Sequence, residues 1–460
     1  MGIPLPDSHQ QELDFAQIIS DQAIFGWEFS YEEAQRLYHE LDGRMQEIER
    51  EVRPHLLMEI DNPWKPLLKP WNNDNSLCKR ARDFWGEDAE VVGGPYTPFR
   101  WVEPDIGSRQ KLMKQLMRYG WKPVNYTDKG NPQLDEESLE GLDLGEVGNL
   151  LMEYFKAKQR RSTLLGEKGT GWLTQAWEYE PGRYRIAAKA NSLGTNTHRV
   201  THSGVANVPK AQDDVYYGHQ FRSLFIAPPG WEVLGKDAEQ LEFRIALSYM
   251  GATKMIELVH SGADIHTMIW EDLEDFMNSR SSTKNVVYAS IYDATEEKLG
   301  SMADKIPPGM TKRDAGVVML AKLKKYMPGL DAAGKEIKSR ASRGWIRGLD
   351  GFPVYLRKNK KTGRLQLWKA VNTVYQHAGS MVMKRANVMF INEIKERGLQ
   401  EHHHQVGYFH DETQDIIREG MGPVFGPMFN DCLVKSGRSY GLACDMAAEW
   451  KVGPNWAHTH

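Results

Sequence analysis

Cysteine is scarce: Cys78, Cys432 and Cys444 are the three in 460 residues. They show no paired spacing, which argues against a disulfide scaffold or a structural zinc ribbon and fits a reducing compartment. Long hydrophobic runs are missing too, with no stretch of about 18 apolar residues, and the N-terminus MGIPLPDSHQQEL lacks a basic-then-apolar signal. Secretion and membrane spanning are therefore not expected, and the chain reads as cytoplasmic. Nor is one sign of charge in excess: 58 basic and 62 acidic side chains give a net charge of -4. A surface for a polyanion has to come from local clustering. What the chain does have is 40% hydrophobic and 26% charged residues, as in a large soluble globular protein of two or three lobes.

Helical periodicity dominates the first third. SYEEAQRLYHELDGRMQEIEREV follows a capping-box pair, Ser30 and Glu33, with Ala34, Leu37, Leu41, Met45 and Ile48 at helical spacing. From about 53 to 95 the pattern breaks into Pro, Trp, Asn and Gly, which predicts an irregular insertion. Helical spacing returns in RQKLMKQLMRYGW and VGNLLMEYFKAKQRRSTLL. The following LLGEKGTGW lacks Walker spacing and a preceding strand, so it reads as a loop, with Lys168 available to backbone phosphate.

Further along, a turn at Pro228-Pro229-Gly230 leads into the strand-like EVLGKD and then a helix, so that Asp237 falls where the strand stops. Residues 252–345 read as helix-rich. Between Lys312 and Arg347 ten Lys or Arg face three Asp or Glu, a local excess suited to a phosphate backbone. VGYFHDETQDII alternates apolar and polar residues around His410 and Asp411, which predicts a β-hairpin with the carboxylate at its tip. His402-His403-His404 has no carboxylate or Cys partner at ligand spacing and reads as a solvated loop.

Chemistry concentrates in two isolated aspartates at strand ends, Asp237 and Asp411, with a basic helix between them in sequence. Phosphoryl and nucleotidyl transfer uses two divalent cations about 4 Å apart, and carboxylates are the hard ligands Mg²⁺ prefers. In Arg280-Ser-Ser-Thr-Lys284-Asn-Val-Val-Tyr288-Ala-Ser-Ile-Tyr292, steps of four residues turn through about 400°. Two cations and two aromatics thus share one helix face, able to take a triphosphate at one end and stack a base and sugar at the other.

These residues resemble DNA polymerase family A. Asp237-Ala-Glu-Gln-Leu-Glu242-Phe-Arg244 is similar to its motif A, the Arg280, Lys284, Tyr288, Tyr292 stripe to motif B, and His410-Asp411-Glu412 to motif C. Asp264-Ile-His266-Thr, Thr197-x-Arg199-x-Thr201, Arg222-Ser-Leu-Phe, Asn372-x3-Gln376 and Gly453-Pro-Asn-Trp456-Ala extend the likeness. The tail, GPYTP, YTDKG and WIRGLDG are similar to the replicative polymerases of short-tailed bacteriophages. The likeness runs from about residue 15 to the end.

The resemblance implies an α+β right-hand fold. Residues 1–27 would be an N-terminal lead, 28–190 a helical thumb including the insertion, 191–250 and 351–460 an antiparallel-sheet palm, and 251–350 helical fingers. It implies that Asp237 and Asp411, with the Ala238 carbonyl, hold two Mg²⁺. Asp237, Asp411 and Lys284 would be catalytic, Lys284 helping to protonate leaving pyrophosphate. Arg280, Lys284 and His266 would hold the triphosphate, with Tyr288 against the sugar and Glu242 beneath it, leaving no space for a 2′-hydroxyl. Tyr292 would lie near the template base, and Arg199, Arg222, Asn372, Gln376, His410 and Glu412 would contact primer or template. The expected partners are primer-template DNA and dNTPs, and the expected activity is template-directed DNA synthesis in phage replication. A single-subunit RNA polymerase is disfavoured by Glu242, and a silent DNA-binding subunit by the intact Asp237, Asp411 and Lys284.

Two positions depart from the family pattern: Asp293 follows Tyr292 where the family has Gly, and His198 stands where Gly is usual. About 25 residues precede the thumb helix, so a 3′-5′ exonuclease lobe is expected to be absent from this chain or supplied by a separate one. The insertion at about 53–95 is shorter than the one with which some phage relatives dock a processivity factor, and carries no expectation of thioredoxin dependence.

Overall fold

A four-stranded antiparallel sheet organises the computed structural model, which describes residues 8–61, 71–86, 100–123, 125–126, 130–134, 145–166 and 169–459. Its strands run in the order His403–Phe409, Glu412–Arg418, Trp231–Ala238, Ala448–Gly453. The central strand Trp231–Ala238 buries Val233, Leu234, Gly235 and Lys236. Both of its faces are covered, so its sequence is a short apolar run and not a clean alternation.

On one face lie the helices Ala370–Glu396 and Gly422–Ser439. Ala370–Glu396 is buried around most of its circumference, as suits its Ala, Val and Met content in a core helix. Its Phe390, with Phe429 of the other helix, packs over the Lys236 ammonium at 3.9 and 4.5 Å from the ring centroids. Lys236 and Asp415 form a fully buried ion pair, and Asp415 Oδ2 is also 2.8 Å from His403 Nε2. His403 is therefore a buried sheet residue and not part of a solvated loop. Its partner comes from the neighbouring strand, which a search along one strand does not reveal.

On the other face the C-terminal turn closes in: Thr459 Oγ1 donates to Gln414 Oε1 at 3.0 Å, and a Cβ on Gly235 would lie 2.5 Å from the Thr459 carbonyl oxygen. The sheet thus needs glycine at 235.

The described residues fall into two units by contact, 1–34 with 168–460, and 35–167. The first holds the sheet, its helices and the helix-rich region after Met250. In the second, the helix Tyr31–Val52, most of which belongs to it, buries Leu37, Leu41 and Ile48. Arg44 holds Glu153 of helix Gly145–Leu164 through two nitrogens, each at 2.8 Å, and Tyr154 donates to Glu49 at 2.9 Å. Of the sequence insertion, residues 62–70 and 87–95 lie outside the described residues, as do 96–99 and Lys168. All three cysteines are free, and no helix among the described residues is long and apolar enough to cross a membrane.

Breaking one side of a buried ion pair leaves a charge without a partner in the core. Asp415→Ala is expected to destabilise the protein by about 3–5 kcal/mol in urea unfolding, and the Lys236→Met, Asp415→Leu pair to recover most of that loss. An Asp415→Ala midpoint equal to the wild type would show that the pair contributes nothing.

Candidate active site

Strand register sets the carboxylates. Asp237 stands opposite Glu412 on one side and Glu449 on the other, while the Ala238 N–H donates to the Asp411 carbonyl at 2.9 Å. Asp411 occupies the turn between the hairpin strands, after His410 at φ +63°. Directly opposed residues of antiparallel strands share a face, so Asp237 has acidic neighbours on both sides. Burial, then Asp411, Glu412 and Glu449, push its carboxyl up to about 7 against the pull of Lys284. Two aspartates, with Glu412 and Glu449 opposite Asp237, offer the oxygen ligands that hard divalent cations prefer.

Gln240, at φ +50°, turns the chain from the strand into the helix Leu241–Met250, with Glu242 in its first turn. Glu242 Oε1 lies 3.5 Å from Arg199 Nη2. Burial raises its carboxyl pKa, Arg199 opposes that rise, and Asp411 adds to it.

The stripe helix spans Arg280–Ile291 and starts at Ser279, whose side chain accepts from the Ser282 N–H. Tyr292 caps its end. Lys284 Nζ is 5.9 Å from the Tyr288 ring centroid, and the Tyr288 and Tyr292 rings are 6.4 Å apart. Burial, then Glu242, Asp411 and Asp237, raise the Tyr288 hydroxyl to about 12, so this helix face looks onto the carboxylates. His266, 6.2 Å from Tyr288 ring to ring, is 1% exposed and neither ring nitrogen has a hydrogen-bond partner. Burial, with Lys284 and Arg280, holds it down to about 4. Arg280 Nε reaches Asp264 at 2.8 Å, and that guanidinium holds the Asp264 carboxyl well below its ordinary range.

A cleft of about 780 Å³ adjoins the stripe and is lined by Arg199, Tyr292, Asn372, Gln376 and His410 among others. Arg222 and Glu412 sit deeper. Arg222 Nε donates to the Pro209 carbonyl at 3.0 Å and its guanidinium lies over Trp456, while Glu412 Oε1 accepts from Trp456 Nε1 at 2.6 Å and Gln414 Nε2 at 2.7 Å. Both are buried, and these contacts support the hairpin from beneath.

The sequence model of DNA polymerase family A matches residues 98–458. The chain belongs to DNA polymerase family A. It is 27% identical over 408 residues to a DNA-directed DNA polymerase of Escherichia phage T7, covering 80% of this chain and 54% of that protein. It is 23% identical over 480 residues to DNA polymerase I of Pseudomonas aeruginosa, covering 98% of this chain and 49% of that protein. The chain thus spans about half the length of these curated relatives. Among solved structures, the POL domain of Pol1 from M. smegmatis, in complex with DNA primer-template and dNTP, superposes with a TM-score of 0.72 at 16% identity, over 97% of this chain and 70% of that one.

Both departures from the family A pattern keep a glycine-like backbone. Asp293 takes φ +67° and pairs with Lys338, so the junction after Tyr292 is retained with a side chain added. His198 takes φ +57°.

Sequence reasoning missed Glu449, which lies in no motif and meets Asp237 through a pairing that joins residues over 200 positions apart. It also missed exposed Trp368 and Arg357, which line the cleft from outside the motifs. Asp264, read there as part of a motif, proves to be the partner of Arg280.

The raised Asp237 pKa has a defined consequence for stability. The folded value lies above the unfolded one, so the contribution is fully present below about pH 4 and is lost as pH rises through about 7. Without divalent cations, Asp237→Asn is expected to melt higher than wild type at pH 8 and together with it at pH 4, by calorimetry. Mg²⁺ should raise the wild-type Tm at pH 8 and leave the variant unmoved. Equal melting at pH 8 in chelator would mean that neither burial nor its acidic neighbours raise the Asp237 pKa.

Proposed function

We propose that this chain is a DNA-directed DNA polymerase that adds deoxynucleotides to a primer 3′ end. The observation that carries the reading is the cluster of Asp237 and Asp411 at adjacent strand ends, facing a helix that bears Arg280, Lys284 and Tyr288. In the proposed reaction the primer 3′-hydroxyl gives its proton to solvent as its oxygen forms a bond to the α-phosphorus of a dNTP, and the bond from that phosphorus to the bridging oxygen breaks to release pyrophosphate. Two Mg²⁺ held by Asp237, Asp411 and the Ala238 carbonyl would supply charge neutralisation and lower the pKa of the attacking hydroxyl.

The chain's own groups do the positioning. Arg280 and Lys284 bind the triphosphate oxygens, and Lys284 Nζ donates a proton to the leaving pyrophosphate. His266, neutral and without a partner for either nitrogen, is free to bond a phosphate oxygen. Tyr288 packs against the sugar. Glu242, held by Arg199, fills the space beneath the sugar and disfavours a 2′-hydroxyl, so DNA and not RNA is the product. Tyr292, Arg199, Asn372, Gln376 and His410 line the cleft assigned to template and primer, and Arg222 and Glu412 act through the hairpin. The thumb is assigned to 28–190, the palm to 191–250 and 351–460, and the fingers to 251–350. A role in phage DNA replication in the host cytoplasm is supported by relatives from phages T7 and T3.

Extension of a labelled primer on a DNA template with Mg²⁺ tests the reading. Wild type is expected to extend with dNTPs, and Asp237→Ala and Asp411→Ala to show no extension. Lys284→Ala should lower kcat by about 10²- to 10⁴-fold, the range typical of a lost general acid. Tight primer-template binding by a wild type that extends nothing would instead support the silent DNA-binding subunit. In a second assay Glu242→Ala is expected to raise NTP incorporation relative to dNTP, and an unchanged ratio would remove Glu242 from sugar discrimination.

A further inference from the structure

The cleft extends beyond the residues assigned to template and primer. Gln376 shares a small recess with His410 and Asp411 at its inner end. Four residues earlier on the same helix Asn372 lines the cleft, and four before that comes Trp368, in the turn Leu367–Lys369 that leads into the helix. At 1.5 Å per residue the three positions span about 12 Å, leading away from the carboxylates. Arg357, whose carbonyl accepts from the Gln366 N–H at 3.0 Å, and Lys369 line this outer end as well.

The outer end belongs to a stretch of unbalanced charge. Residues 343–369 hold eight Lys or Arg and one carboxylate, Asp350, which is buried against His377. All eight cations are exposed, and none forms an ion pair among the described residues. Asp293, the carboxylate that lines the cleft, is taken up by Lys338. Like charges gathered without counter-charge repel one another, which is the electrostatic footprint of a polyanion site.

Aromatic rings stand open in the same stretch. Trp368 and Tyr355, 65% and 61% exposed, are the two most exposed aromatic side chains among the described residues. Burial alternates along this edge, with Val354 and Leu356 inside and Tyr355 and Arg357 outside. Tyr355 stands opposite Trp345, whose ring carries the Arg343 guanidinium at 3.9 Å, and its carbonyl accepts from Asn196 of the cleft wall at 3.1 Å. The cations beyond Arg357 sit on a formed turn: Asn359 Oδ1 accepts from the N–H groups of Lys361 and Thr362 at 2.8 and 3.0 Å, and Lys358 bridges to Leu365. An acidic protein segment would engage the cations and leave the rings unused, and a duplex keeps the faces of its bases inside its stack. Unpaired DNA presents both phosphates and open base faces.

We propose that Trp368, Tyr355 and Arg357, with the cations of the turn Lys358–Arg364, form a platform for single-stranded DNA that leads the unpaired template into the cleft. The proposal rests on the polymerase reading above, which makes that strand a substrate.

Fluorescence anisotropy of labelled DNA in chelator, where no nucleotide is added, tests the platform apart from catalysis. The probes are a primer-template with a 5′ template overhang of about 10 nucleotides and the same duplex with a blunt end. Wild type is expected to prefer the overhang by roughly 10-fold or more, and Trp368→Ala to lose roughly 10- to 100-fold in overhang affinity, as when one base–aromatic stack is removed. Trp368→Phe should recover most of that loss. Tyr355→Ala should weaken overhang binding in the same way, so a folding defect in either alanine variant leaves the other to decide. The Lys358→Ala, Lys361→Ala pair should lower the slope of log affinity against log salt by about 1.4, at about 0.7 per phosphate contact on a single strand. Equal wild-type affinity for the two probes would overturn the platform, and leave the polymerase reading standing if the primer is extended with Mg²⁺. Undiminished overhang binding by both alanine variants would mean that charge alone acts, as for an acidic protein segment, and would also overturn it. A wild type that prefers the overhang yet extends no primer would support the platform and count against the polymerase reading.

Discussion

The antiparallel pairing of Trp231–Ala238 between Glu412–Arg418 and Ala448–Gly453 is the constraint from which the site follows. Because side chains alternate across a strand, this register sends Asp237, Glu412 and Glu449 to one face and Lys236 to the other. Burial, and after it the neighbouring carboxylates, make Asp237 costly to ionise on this face and raise its pKa. The face is held by what lies behind it: Lys236, Asp415 and His403 bonded together beneath Phe390 and Phe429. A slip of one residue would exchange the two faces, burying Asp237 and exposing Lys236. The core and the carboxylate cluster are therefore specified by the same register.

Positive charge is brought from elsewhere. The stripe helix presents Arg280 and Lys284, and neither is buried. Arg280 is held by Asp264 in a pair with both side chains about half exposed, 50% and 48%. Exposed pairs of this kind contribute at most about 1 kcal/mol, little enough for the triphosphate of the proposed reaction to displace. His266 differs in kind: it is buried and neither ring nitrogen has a hydrogen-bond partner, so the role proposed for it would break no hydrogen bond. The groups proposed to hold the triphosphate thus combine an exposed, exchangeable cation with a buried neutral imidazole whose nitrogens have no hydrogen-bond partner.

Much of this was legible along the chain. EVLGKD, the Arg280 to Tyr292 stripe and the hairpin around His410 and Asp411 each declare themselves through local periodicity, which the structure follows. His403 was misread because its partner Asp415 comes from the adjacent strand and its burial from a distant helix. Arg222 and Glu412 carry charges that suggest a surface, yet a cation over Trp456 and bonds from Trp456 and Gln414 hold them inside. Glu449 gave no signal, since a lone glutamate acquires meaning when a strand sets it beside Asp237.

By itself the sequence determined which residues could carry charge and metal chemistry, their order, and the helix or strand on which each sits, because 3.6- and 2-residue periods are written in neighbouring positions. Tertiary structure alone decided which charges share a face, which are paired and which are left without partners. Those outcomes depend on strand register and helix packing between segments far apart in the chain, and on how much water each carboxylate and imidazole loses there. For the same reason Trp368 and Arg357, which lie in no motif, join the cleft only in the folded chain.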